Sequence, residues 1–244
     1  MKHFRPVVWA STLTLALVAC SDATEPDQFI DQLNFDVAMV AADGLLDDLS
    51  TITQLFPFGS GASLAPPLTR SRTVEFFDAA GNPQDAFDEL TTASIHVVSE
   101  MSGEFSRETW TANIFRSRDM TITGLEGEET SRTANGTGTE EVERSRHLDD
   151  GGDRSYEMEG TSTIEDLVHG VPREDNPWPL SGTITREMTV EIDNGPNGDQ
   201  TVERTAIVTF NGTQFVTMTV NGERFEVDLS ARSGNHPFQG RRGR

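Results

Sequence analysis

Cysteine is the first side chain to weigh for chemistry, and the 244 residues contain one, Cys20. A lone thiol forms no disulfide within its own chain, so it is either a small buried hydrophobe or a group kept for modification. Histidines His96, His147, His169 and His236 follow, with no H-E-x-x-H or other paired spacing that would hold a metal. The run Gly59-Ser60-Gly61-Ala62-Ser63 sets serines among glycines without forming the G-x-S-x-G elbow. It follows Phe56-Pro57-Phe58 rather than a strand, and so reads as a loop. No G-x-x-x-x-G-K occurs, and Lys2 is the sole lysine, which leaves no phosphate-cradling or Schiff-base lysine in the rest of the chain. Hard oxygen ligands gather in two acidic loops, residues 149–153 and 193–199. The second offers Asp193, Asn197 and Asp199 as a calcium candidate. Neither loop ends in the bidentate glutamate of an EF-hand, and both also suit hairpin turns. Among 40 acidic residues nothing singles out a glycosidase-like pair. The expectation is a chain with no catalytic residues and no cofactor.

The context of Cys20 favours modification. Lys2, His3 and Arg5 precede an apolar run over residues 7–18, interrupted by Ser11, Thr12 and Thr14. A positive start, a short apolar core and a small residue before a cut describe an export signal, too short to span a bilayer comfortably. Its end, Leu17-Val18-Ala19-Cys20, resembles the lipobox of bacterial lipoproteins: large aliphatic, tolerated middle residue, small residue, cysteine. The resemblance implies cleavage between Ala19 and Cys20, a diacylglyceryl thioether on Cys20 and acylation of its new amino group. One acyl chain holds a protein to a membrane only marginally, whereas two or three anchor it durably. Ser21 follows where the enterobacterial sorting rule would read Asp as inner-membrane retention, so the resemblance implies the outer membrane.

Removing Lys2 and Arg5 with the signal leaves 17 basic residues against 40 acidic ones, about −23 for the mature chain. Such a surface keeps a protein soluble and disfavours nucleic acid and anionic headgroups. Only Arg241, Arg242 and Arg244 are locally basic, at a terminus where a solvated end is the plainer reading. The length and a 35% hydrophobic content predict one domain with polar excursions.

The elements follow in order: signal 1–19, tether 20–27, helix and loop 28–71, antiparallel β domain 72–232, flexible basic tail 233–244. In residues 28–49 Ile30, Leu33, Val37, Val40 and Ala41 recur at helical spacing, with Leu45, Leu46 and Leu49 beyond Gly44. Asp31, Asp36, Asp43, Asp47 and Asp48 fall mostly on other faces. One interrupted amphipathic helix or two short ones would explain this, and Leu33, Phe35, Val37 and Met39 also alternate as a strand would. After Arg72 the texture becomes threonine-rich alternation punctuated by Asn-Gly at Asn135, Asn194, Asn197, Asn211 and Asn221. If the last two are two-residue hairpin loops, Phe210 pairs with Thr213 and Val220 with Glu223. Ile207 then faces Val216, Met218 faces Phe225, and seven apolar residues from Ile207 to Leu229 share a face, with Val208, Phe210 and Phe215 as exceptions. Earlier segments alternate too: Ile184, Met188, Val190 and Ile192; Tyr156, Met158 and Ile164; Ile95, Val97 and Met101; Trp110, Ala112 and Ile114, then Met120 and Ile122. Residues 126–147 carry little but Ala134 and Val142, so those strands should be exposed on both faces or disordered.

The predicted fold is mostly β: an antiparallel meander sheet or half-barrel with one N-terminal amphipathic helix packed on the apolar face. In order of elements this is similar to the half-barrel lipoproteins that carry lipids, such as the receptor of the outer-membrane lipoprotein-sorting pathway. Three functions are expected to compete. One is a non-catalytic, lipid-anchored envelope protein that contacts other envelope components; another is a carrier of an apolar ligand; the last is a hydrolase with an unrecognised site.

Overall fold

The computed structural model describes residues 25–54, 69–107, 110–147, 152–195, 198–231 and Phe238. Ala19, Cys20, Asn197 and the tail arginines lie outside these residues. The described residues form one helix, α1 (Glu25–Gln54), and ten strands: β1 (Thr69–Asp78), β2 (Pro83–Gln84), β3 (Thr92–Arg107), β4 (Trp110–Thr123), β5 (Ser131–His147), β6 (Asp153–Gly170), β7 (Ser181–Asp193), β8 (Gln200–Thr209), β9 (Phe215–Val220) and β10 (Glu223–Asp228). All strands pair antiparallel in one sheet of order β10-β9-β8-β7-β6-β5-β4-β3-β1-β2, a meander that does not close. The mostly β, antiparallel architecture with a packed N-terminal helix is therefore as the alternation predicts.

The helix departs from its expected form. It is continuous through Gly44 for 30 residues, about 45 Å at 1.5 Å per residue, and it contains the Pro26 assigned to the tether. It is also buried on every side from Leu33 to Asp48, apart from partly exposed Phe35 and Asp43. A helix hidden all round must be enveloped. Its side chains reach β1, β4, β5, β7, β8 and β10, so the sheet curls around it. No helix among the described residues is long and apolar enough to cross a membrane.

Register is confirmed at the last turn and corrected at the one before. Val220 pairs with Glu223 through Asn221 (φ 46°) and Gly222 (φ 87°), the left-handed pair that Asn-Gly supplies, and Met218 faces Phe225 on the buried side. Between β8 and β9, however, Thr209 pairs with Thr217 and Val208 with Met218. The loop is longer than two residues: Asn211 folds its Oδ1 back onto the Thr213 amide, and Gly212 N–H donates to Pro179 O. The odd shift inverts β8, so Ala206, Val208 and Phe210 are buried while Ile207 faces out. Val208 and Phe210, two of the apolar exceptions in the two-residue scheme, were the sign of the error, while Phe215 does face out.

Asn135-Gly136 is not a turn at all. It lies within β5 beside a bulge, where a Cβ on Gly136 would stand 2.4 Å from Asp119 O and Asn135 Oδ1 accepts from Asp166 N–H. Residues 131–147, expected to be exposed or disordered, form a central strand that pairs along its length with β4 and β6. Phe238, from the stretch expected as a loose tail, bridges to Val227 and packs its ring 5.4 Å from that of Phe225 and 5.7 Å from that of Phe35.

Candidate functional site: an ionic seam between helix and sheet

The inward face of the sheet is apolar at both ends of β4, with Ala112 and Ile114, then Met120 and Ile122, and charged between them at Arg116 and Arg118. Arg186 interrupts β7 in the same way, between Ile184 and Met188. Strand alternation forces these arginines into the trough. Pairing then sets them in two neighbouring rows: Arg118, Gly138, Ser162 and Arg186 in one, Arg116, Glu140, Gly160 and Met188 in the next. Gly138, Gly160 and Ser162 form a low floor between the long side chains. A Cβ on Gly138 would lie 2.6 Å from Arg118 Cδ, so only glycine leaves that arginine its path.

The helix and β5 supply the counter-charges. Asp48 accepts from Arg118 Nε at 2.5 Å and from Arg186 Nη2. Glu140 Oε2 accepts from Arg186 Nη1 at 2.8 Å and Arg116 Nε at 3.3 Å, with Arg118 Nη2 at 3.7 Å. Asp47 pairs with Arg70 on β1, and Arg116 Nη2 donates to Val40 O of the helix at 3.4 Å. Asp48 is fully buried and Glu140 is 1% exposed. Burial raises the Glu140 pKa, but Arg186, Arg116 and Arg118 more than offset it, and the carboxyl is held at about 2. Asp47 goes the other way: burial dominates over its arginines and raises it. Gly44 belongs to the same design, since a Cβ there would sit 2.9 Å from Arg186 Cζ.

A second group lies nearer the start of the helix. Asp36 meets Arg144 Nη2 at 3.1 Å and Arg146 Nη1 at 3.6 Å, and Arg144 Nη1 also donates to Asp36 O at 3.3 Å. Asn34 bridges β8 and β10, accepting from Arg204 Nε at 3.0 Å and donating to Glu223 Oε2 at 3.1 Å. Asp36, Asp47 and Asp48, which the sequence sets off the apolar stripe of the helix, thus point into the sheet. The reason is complementarity: a polar stripe is buried when the surface it meets carries the opposite charge. The signal was present in the strand patterns, as arginines filling gaps in otherwise apolar alternation. The absence of lysine after Lys2 fits as well, since guanidinium is less strongly hydrated than ammonium and forks onto carboxylates.

Among the described residues, the side chains first weighed for chemistry share no common site. Asp193 Oδ2 accepts from Ser155 Oγ at 3.2 Å, and Asp199 Oδ1 from Asn194 N–H at 3.0 Å, so both serve their turn. No group of three metal-ligating side chains occurs among the described residues. His96 spans Glu75 (3.1 Å) and Asp119 (2.8 Å) on the outer face, and its bonds to the two carboxylates raise its pKa. His147 meets Asp153 at 2.7 Å. Burial and then Arg173 push His169 down to about 4. Searches against protein families, curated proteins and solved structures returned no match for this chain.

Proposed function

We propose that this chain is a cell-envelope protein held to the outer membrane by lipid on Cys20, and that its folded part has a binding or structural role rather than a catalytic one. The anchor rests on the Leu17-Val18-Ala19-Cys20 quartet behind an export-type segment. The observation that carries the role is the filled trough. A carrier needs an apolar hollow under the sheet, whereas here α1 occupies the concave side and is bound there by Asp36, Asp47 and Asp48. Admitting an acyl chain would take Asp48 from Arg118 and Arg186 and Val40 O from Arg116, leaving three buried arginines to share Glu140 alone, and buried charge without its partner costs several kcal/mol. The hydrolase reading has less support still, because the hydrogen bonds of His96 and His147 among the described residues go to carboxylates and none to a serine, threonine or cysteine.

Two measurements test this. Cys20→Ala should abolish labelling by palmitate, and continued labelling of that variant refutes the anchor. Native mass spectrometry of the folded domain should give the mass of the chain alone. Stoichiometric lipid retained there would replace this reading with the carrier.

A further inference from the structure

The polar contacts of the helix fix which way it runs in the trough. Its late residue Asp48 lies by Arg118, which stands opposite Gly138 of β5, while its early residue Asp36 lies by Arg144 and Arg146 near the end of β5. On β4 the order is the same, with Arg118 at Asp48 and Arg116 at Val40 O. The helix therefore starts toward the rim where β5 ends and β6 begins. Asn34 and Phe35, also early in α1, meet Arg204, Glu223 and Phe238, so β8 to β10 gather round the same half of the helix. The opposite rim lies past the late half. Beyond Arg118, β4 runs on to Thr123, and a Cβ on Gly127 in the loop that follows would stand 2.7 Å from Glu89 O, next to the 83% exposed Leu90.

We propose that the fold stands end-on on a lipid bilayer, with the rim where α1 starts against the headgroups and the Leu90 rim held away from them. This orientation rests on the lipid anchor at Cys20. The helix begins at Glu25, five residues after Cys20, and that stretch of chain spans at most about 18 Å. The start of α1 is thus kept within that reach of the bilayer surface, and 30 helical residues carry the far rim about 45 Å along the axis. Lying on its side, the fold would bring the convex face of the sheet to the lipid. On that face Glu157 stands opposite both Glu143 and Glu191, and Glu159 opposite Glu141, all of them exposed. The arginines Arg144, Arg154 and Arg186 of the same strands are buried on the inner face and do not offset them there. Anionic headgroups repel such a surface. The rim where α1 starts is less one-sided, because Arg146, with its side chain 31% exposed, stands there among Asp153 and Asp193.

The lipidated full chain is to be placed in vesicles of phosphatidylethanolamine and phosphatidylglycerol that carry an energy-transfer acceptor on a headgroup. Thr201→Cys, Thr161→Cys and Leu90→Cys each give one thiol for the donor dye, since the Cys20 sulfur is taken up in the thioether, and all three positions are exposed. Thr201 lies on the helix-start side of Arg204, Thr161 in the middle of the convex face between Thr139 and Glu187, and Leu90 at the far rim. Transfer should be strongest at Thr201→Cys, weaker at Thr161→Cys and lost at Leu90→Cys. Strongest transfer at Thr161→Cys would mean that the fold lies on its side, strongest transfer at Leu90→Cys that it is inverted, and equal transfer at all three that it tumbles on its tether. Each of these overturns the orientation, while co-flotation with the vesicles leaves the anchor standing. A chain that takes up no palmitate and does not float overturns the anchor and the orientation together.

Discussion

Replacing Glu140 with glutamine removes the charge that three buried arginines share while keeping the side chain's shape. The gap between the ordinary value of 4.5 and about 2 in the fold corresponds to roughly 3 kcal/mol of stability. This agrees with the range of about 3–5 kcal/mol for breaking a buried ion pair by removing one partner. The folded pKa is depressed, so the contribution is fully present above 4.5 and is lost as pH falls toward 2. Glu140→Gln should therefore lower stability by about 3 kcal/mol at pH 7, by about 1 kcal/mol at pH 3, and by almost nothing at pH 2. Urea denaturation followed by circular dichroism at each pH measures this without the ionic screening that guanidinium would add. Glu141→Gln, next in sequence and exposed on the outer face, is the control and should change stability by under about 0.5 kcal/mol. Equal urea midpoints for the two variants at pH 7, or a Glu140→Gln effect that does not shrink with acid, would show that the seam does not hold the helix.

Three further outcomes follow from the packing. Gly44→Ala gains about 1 kcal/mol of helix propensity, yet its Cβ would meet an Arg186 guanidinium fixed by Asp48 and Glu140. Net destabilisation of about 1–3 kcal/mol is expected in thermal melts, and a stabilised variant would mean that Arg186 can move. In β8, Val208→Ala should cost about 1.5–3 kcal/mol and Ile207→Ala under about 1, since the first is 3% exposed and the second 39%. The reverse order would restore a two-residue turn at Asn211-Gly212. In an NMR titration His169 should change charge near pH 4 and His96 above 6.5. Accordingly His169 should withdraw stability as pH falls from 6.5 toward 4, whereas the stabilising link through His96 should fade as pH rises through its folded value.

Holding a helix by charge has a consequence for specificity. An apolar helix in an apolar trough can slide or rotate at little cost, because contact area changes slowly with position. Asp48 can meet Arg118 and Arg186 together, and Asp47 meet Arg70, in one rotation of the helix only. Elsewhere the trough would bury unpaired charge. The seam thus fixes orientation more strongly than it adds net stability, since desolvation consumes much of the attraction between buried ions.

Alternation and turn residues in the sequence were enough to determine the antiparallel sheet, its dry face outside β8 and the β9–β10 hairpin, because a period of two and an Asn-Gly pair act within a few residues. The helix was legible in its period but not in its extent, since Gly44 read as an interruption and Pro26 as part of a tether. What only the tertiary structure decided was everything that depends on two distant segments meeting. Asp36, Asp47 and Asp48 look solvent-facing while the helix is read alone, and Arg116, Arg118, Glu140 and Arg186 look like defects while each strand is read alone. They become core when the sheet curls and places each charge opposite its complement. The β8–β9 register was decided in the same way, by the contact of Gly212 with Pro179 more than thirty residues earlier, which no pattern local to the turn contains.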